Sequence, residues 1–92
     1  MARATLELPS VLAAVLGGTK TVDLNGATLR EALEDAFRQQ PALRVHVFDE
    51  SGALRRHVLC FLNQTNSRWL ESLDQEIADG DRITILQAVS GG

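Results

Sequence analysis

The sequence predicts an α+β domain in which a mixed sheet of four to five strands carries one main helix on one face. Three observations predict it. Stretches at 3–8, 19–24 and 82–87 alternate apolar with polar residues, and 54–62 ends in the apolar run Val-Leu-Cys-Phe-Leu; these are the patterns of strands with a buried face. A single segment, Thr28 to Pro41, repeats its apolar residues at helical spacing instead. The resulting order is strand, strand, helix, strand, strand. A helix with one apolar stripe and a sheet with one apolar face bury each other, which gives a two-layer packing.

The elements follow in order. In 3–8, Leu6 and Leu8 share one face and Thr5 and Glu7 the other, and Pro9 ends the run. Residues 10–18 connect onward through Gly17-Gly18, with Val11, Leu12, Val15 and Leu16 spaced for a short turn of helix. Residues 19–24 form a second strand on Thr and Val, and Asn25-Gly26 reads as a turn after it. The two strands suggest a hairpin with a long connection. Thr28 then opens the helix as N-cap with Glu31 three residues on, a capping box. Leu29, Ala32, Leu33, Ala36 and Phe37 form its apolar stripe, Arg30, Glu34, Asp35 and Arg38 lie mostly opposite, and Pro41 stops it. Residues 42–53 fit either a strand, through Val45 and Val47, or a helical turn, through Leu43, Val47 and Phe48, before a turn at Ser51-Gly52. After the third strand, 63–67 is a polar turn, and Trp69, Leu70 and Leu73 suggest a short apolar turn segment. Asp79-Gly80-Asp81 is a turn into the last strand.

The chain has 92 residues, room for one domain over 1–92 with a flexible C-terminal tail from about 88. No apolar run approaches the ~18 residues of a membrane span. Met1 to Leu16 holds Glu7 and Pro9 and only Arg3 as a positive charge, which does not fit a secretory signal, so the expected location is cytoplasmic. The net charge of −3 and the scatter of basic residues, only Arg55-Arg56 being adjacent, exclude a nucleic-acid footprint, which is basic and clustered. The single cysteine, Cys60, excludes an internal disulfide and a zinc site of paired cysteines. With one Trp, three Phe and no Tyr, aliphatic packing dominates and a walled active site is hard to fit. A carrier or binding module, not an enzyme, is the expectation.

Candidate chemistry is sparse. His57 and Cys60 are three apart on an expected strand, so they point to opposite faces and cannot converge on one metal; His46 stands apart. Cys60 alternates with Val58 and Leu62, as a core residue does. Asp74, Glu76, Asp79 and Asp81 gather near a glycine but lack the ligand pattern of an EF-hand, so they read as a turn and a solvated face. Asn63-Gln64-Thr65 matches a glycosylation acceptor by chance, without a secretory context.

The Gly91-Gly92 end stands out against a composition of 7 glycines in 92 residues. A trimmed or disordered end would look the same. The functional reading is a free carboxylate on backbone without Cβ, able to enter a narrow channel where a partner enzyme presents it to ATP.

The tail from Ile83 to Gly92, Ile-Thr-Ile-Leu-Gln-Ala-Val-Ser-Gly-Gly, preceded by Asp79-Gly80-Asp81, resembles the end of the ThiS/MoaD sulfur-carrier family, and within it the carriers that serve cysteine biosynthesis in mycobacteria and related bacteria. That group shows Gly-Asp, a strand, then Leu-Pro-Ala-Val-Ala-Gly-Gly. Leu8-Pro9-Ser10-Val11-Leu12 with Gly17-Gly18 resembles the group's Ile-Pro-Thr-Ile-Leu and following Gly-Gly. Gly26-Ala27-Thr28-Leu29 resembles its Gly-x-Thr-Leu, and Leu62-Asn63 with Arg68 its Val-Asn and later Arg. Gln87 and Ser90 depart from the usual Pro and Ala, and Leu59 and Phe61 from polar and Tyr residues.

The resemblance implies a β-grasp, ubiquitin-like fold. It implies that the Gly92 carboxylate is adenylated and converted to a thiocarboxylate, with Ala88, Val89, Ser90 and Gly91 recognised as the tail. It implies no bound cofactor or metal, with ATP used by the partner. The implied partners are a ubiquitin-activating-type adenylyltransferase and sulfurtransferase, a cysteine-synthase-like sulfur acceptor, and a metalloprotease that releases product. Two other readings share the tail: the small subunit of molybdopterin synthase, and a ubiquitin-like modifier conjugated through Gly92.

Strand parity adds a docking surface. If Val58, Cys60 and Leu62 face the core, Leu59 and Phe61 turn outward; if Ile83 and Ile85 face the helix, Leu86 points away from it. On neighbouring strands, Leu59, Phe61 and Leu86 would form an exposed apolar patch leading into the tail. A slip of one residue would expose the other set.

Overall fold

The computed structural model describes residues 1–87. Strands β1 (Ala2–Glu7), β2 (Thr21–Gly26), β3 (Val58–Leu62), β4 (Thr65–Asn66) and β5 (Asp81–Gln87) form one sheet in the order β2-β1-β5-β3-β4. The helices are α1 (Ser10–Val15), α2 (Leu29–Gln39) and α3 (Arg44–Val47), with single 3-10 turns at Pro41–Leu43 and Ser67–Trp69. The central pair β1 and β5 is parallel, and the other neighbours are antiparallel. This is the β-grasp arrangement: a mixed sheet holding α2 across one face.

The core lies between that face and α2. Leu6, Leu24, Val58, Cys60, Ile83 and Ile85 from the sheet meet Leu29, Leu33 and Phe37 from the helix, all buried. Phe37 and Phe48 meet edge-to-face with centroids 5.0 Å apart, a favoured aromatic geometry, and the Arg44 guanidinium covers both rings.

At the start of α2 the N–H groups of Leu29, Arg30 and Glu31 all have partners. Thr28 Oγ1 accepts from the Glu31 N–H at 3.2 Å, and Glu31 Oε1 accepts from the Ala27 N–H at 3.1 Å. The free N–H groups of Leu29 and Arg30 donate to the carbonyls of Gln75 and Leu73. So Thr28 caps the helix as expected, Glu31 reaches back to the residue before the cap rather than to the cap itself, and the 73–75 loop takes the donors of Leu29 and Arg30.

Several boundaries differ from expectation. Asn25-Gly26 is not a turn: both residues continue β2, opposite Arg3 and Ala2. Glycine is required there because a Cβ on Gly26 would lie 2.7 Å from the Ala32 backbone nitrogen. Residues 42–53 resolve as the helical alternative, with Val45 exposed and Val47 buried. The third strand begins at Val58 rather than 54, because residues 49–53 turn around the Asp49 carboxylate and Leu54 makes only an isolated bridge to Phe48. The polar turn at 63–67 contains the short edge strand β4, which makes the fifth strand. The apolar segment near Trp69 divides: Leu70 and Leu73 pack on the core, while Trp69 is 80% exposed. His57 lies before β3 and is exposed, so it shares no strand with Cys60.

Candidate functional site: the outer face of the sheet and the end of the last strand

The sheet face turned away from α2 is polar on one side and apolar on the other. Thr5 and Glu7 of β1 stand opposite Arg82 and Thr84 of β5, and an Arg82–Glu7 salt bridge of 3.1 Å ties the two strands. On the other side of β5 the register pairs Leu59 with Leu86 and Phe61 with Thr84. Val58, Cys60 and Leu62 are buried, whereas Leu59 and Phe61 are half-buried and Leu86 is 41% exposed. The two neighbouring strands thus bring Leu59, Phe61 and Leu86 together on the outer face, in the expected parity.

The register also places this patch at one end of the sheet. Val58 opens β3 opposite Gln87, the last residue of β5. Ala88, Val89, Ser90, Gly91 and Gly92 follow directly and lie outside the described residues. Arg56 and His57 precede Val58 at the same end, both exposed, so a chain of net charge −3 puts basic groups beside the strand that leads to its tail. The adjacency of Arg55 and Arg56 was visible in the sequence, but its position depends on a long-range register that no local pattern encodes.

Asn63 joins β3 to β5 just beyond the patch. It takes a positive φ of 56°, a conformation asparagine tolerates. Its side chain accepts from the Arg82 N–H at 3.0 Å and donates to Asp81 at 3.1 Å. The acidic residues are likewise used internally: Asp79 accepts from the Arg3 N–H, Asp81 from the Ala78 N–H, and Asp74 pairs with Arg30. Among the described residues no group of three His, Cys, Asp or Glu side chains is disposed to hold a metal. Cys60 is fully buried on the core side, and burial pushes its thiol up to about 12, opposed weakly by the neighbouring Ser67 hydroxyl. No helix among these residues is long and apolar enough to cross a membrane.

Comparison with known proteins agrees with this architecture. The model of the ThiS family matches residues 7–92. The chain is 36% identical to the sulfur carrier protein CysO of Mycobacterium tuberculosis, over 96% of this chain and 97% of that one. Among solved structures, it superposes on a chain of the Amycolatopsis orientalis BexX/CysO complex with a TM-score of 0.85 and 32% identity, covering 97% of this chain and 99% of that one. Small archaeal modifier protein 1 from Methanosarcina acetivorans gives a TM-score of 0.87 at 30% identity, covering 100% and 98%.

Proposed function

Because the chain belongs to the ThiS family of small, ubiquitin-like carriers, we propose that it carries sulfur as a thiocarboxylate on Gly92, for cysteine or a related sulfur metabolite. The observation that carries this reading is the apolar trio Leu59, Phe61 and Leu86, which borders the end of the strand that runs on to Gly91-Gly92. A partner can grip the patch and take the tail in one approach.

The chemistry needs such a division of labour. A carboxylate is a poor electrophile. A ubiquitin-activating-type partner joins it to the AMP portion of ATP, pyrophosphate leaves, and the acyl carbon gains a good leaving group. Sulfur then attacks, the acyl C–O bond to AMP breaks, and a thiocarboxylate remains. It is itself a nucleophile, ready for a cysteine-synthase-like acceptor, after which a metalloprotease frees the product. The chain supplies the reacting group and the grip; the partners supply catalysis. That a structural relative occurs in the BexX/CysO complex supports the expectation of a protein partner. Ala88, Val89, Ser90 and Gly91 are the residues such a partner would read in the tail, and the two glycines suit a narrow channel.

The test is intact mass after incubation with an adenylating enzyme of this family, ATP and a sulfur source. One oxygen of Gly92 should be exchanged for sulfur, and a thiol-directed alkylating agent should then label the C-terminus. Labelling confined to Cys60 would sink the proposal. Likeness to small archaeal modifier protein 1 favours a second reading, conjugation of Gly92 to target lysines. A ladder of heavier species, each carrying the Gly92 remnant on lysine, would select it. Service in molybdopterin synthesis would form the same thiocarboxylate and differ only in the enzyme that accepts it.

A further inference from the structure

The sheet ends on β2 at one side and on β4 at the other. β4 has 2 residues and β2 has 6, so β2 is the long edge. Such an edge offers its outward N–H and C=O groups to any extended chain. In an antiparallel strand those groups belong to alternate residues. The Lys20 carbonyl accepts from the Leu8 N–H on the β1 side. Val22 and Leu24 therefore turn their backbone groups towards β1, and Thr21, Asp23 and Asn25 turn theirs outward.

Two side chains of α2 reach over to this edge. Asp35 Oδ2 accepts from the Asn25 N–H at 3.0 Å, and Gln39 Nε2 donates to the Asp23 carbonyl at 2.7 Å. Gln39 Nε2 also lies 3.2 Å from Asp35 Oδ2, and Arg38 donates to Asp35 Oδ1 at 3.0 Å. Asp35 and Gln39, one helical turn apart, thus form a single strap across the strand. The strap takes an acceptor and a donor from the middle of the edge.

That middle is self-complementary. When a second β2 lies antiparallel with Leu24 on the two-fold axis, Asp23 of each copy stands opposite Asn25 of the other. Opposed residues of this kind exchange both of their N–H···O bonds, so the two pairs would form four bonds in all. The register also keeps the two Asp23 carboxylates from standing directly opposite each other, which would be repulsive. The contact is isologous and closes at two copies. Two of its four bonds run from the Asn25 N–H of one copy to the Asp23 carbonyl of the other. Those are the groups that Asp35 and Gln39 already hold.

We propose that the Asp35–Gln39 strap is an autoinhibitory contact, which closes β2 to pairing with a second copy of this chain through Asp23 and Asn25. Release of the strap frees the blocked donor and acceptor on both copies at once. The β2 edge then becomes a dimer interface, on the opposite side of β1 from β5 and the apolar trio.

The test is sedimentation equilibrium of the full chain, of Gln39→Ala and of the double variant Asp35→Ala with Gln39→Ala, each first checked for folding by circular dichroism. The double variant should dimerise at least about tenfold more tightly than the parent, since two hydrogen-bonding groups are released per copy. Gln39→Ala alone should fall between them. Adding Asn25→Pro to the double variant should abolish the dimer, because proline removes the outward donor while an edge strand tolerates it. Amide exchange in the parent gives a second reading that needs no variant. The Asn25 amide should be protected at least about tenfold over the outward Asp23 amide, which the strap does not hold. A folded double variant that associates no more tightly than the parent would overturn the proposal. So would a dimer that survives Asn25→Pro, or a parent Asn25 amide that exchanges as freely as that of Asp23.

Discussion

Two residues show how tightly single positions are bound to their surroundings. A methyl group added at Gly26 would meet the Ala32 nitrogen at 2.7 Å and the Glu31 carbonyl carbon at 3.0 Å. Both are backbone atoms of the first turn of α2 and cannot rotate away. Gly26→Ala should therefore push the helix off the sheet and cost about 1–3 kcal/mol, the range for overpacking a core, read as a lower urea midpoint with an unchanged slope. Cys60 shows the chemical side of burial. Its thiol rises from 9.0 to about 12 because the thiolate would lie in the apolar core. Below about pH 9 the folded and unfolded chains both hold this proton; above it the unfolded chain releases the proton first. Cys60 therefore contributes stability that is lost as pH climbs from 9.0 towards 12. The native protein should resist iodoacetamide at about pH 8 and react once unfolded in urea, since the thiolate is the nucleophile. Labelling of the folded protein would contradict the burial.

At the scale of elements, local pattern and long-range geometry divide clearly. The main helix was legible because its cap, stripe and stop are all short-range signals, and Thr28 and Phe37 act as the spacing predicts. Alternation likewise identified β1 and β5 and the parity of β3. What local reading missed depends on distant partners. Asn25-Gly26 looks like a turn, yet β1 recruits it as strand and α2 demands its glycine. The two residues of β4 are too few to show a period. Half of the candidate site, the trio on the outer face, followed from parity; the basic pair Arg56 and His57 beside it did not, because the β3–β5 register brings them there. Asp35 belongs to this scale. From α2 its carboxylate accepts from the Asn25 N–H at 3.0 Å and from Arg38 and Gln39. These bonds, the Asn25 N–H foremost, hold it below the usual carboxylate value against the opposing cost of burial. A lowered value means stability that is present above the unfolded group's 3.8 and lost as pH falls through the folded one. Asp35→Ala should cost about 1 kcal/mol near neutral pH. The deficit should shrink in acid, where the parent protein loses the same bonds by protonation.

At the scale of the whole molecule, one face of the sheet packs against α2, and the opposite face carries the apolar trio for which we propose docking. Core residues Val58, Cys60, Ile83 and Ile85 alternate with Leu59, Phe61, Thr84 and Leu86 along two paired strands. Each strand thus serves the helix with one set and the solvent side with the other. Phe61 tests the separation. It stands between Thr84 on β5 and Asn66 on β4 and is half-buried, so truncating it removes cross-strand contact without opening a cavity against α2. The loss of stability for Phe61→Ala should stay within ~1 kcal/mol, the scale of a cross-strand pair. An aromatic anchor at the centre of an interface costs ~2 kcal/mol or more on truncation, which corresponds to roughly thirtyfold in affinity. Binding to the adenylating partner, followed by calorimetry, should therefore weaken by at least about thirtyfold while the melting temperature moves only a few degrees. The core replacement Ile85→Ala should behave oppositely, losing about 2–5 kcal/mol of stability. Where it remains folded, it should bind with near-native affinity. If Phe61→Ala binds as well as the parent, the partner reads the tail alone and the apolar trio has no part in docking.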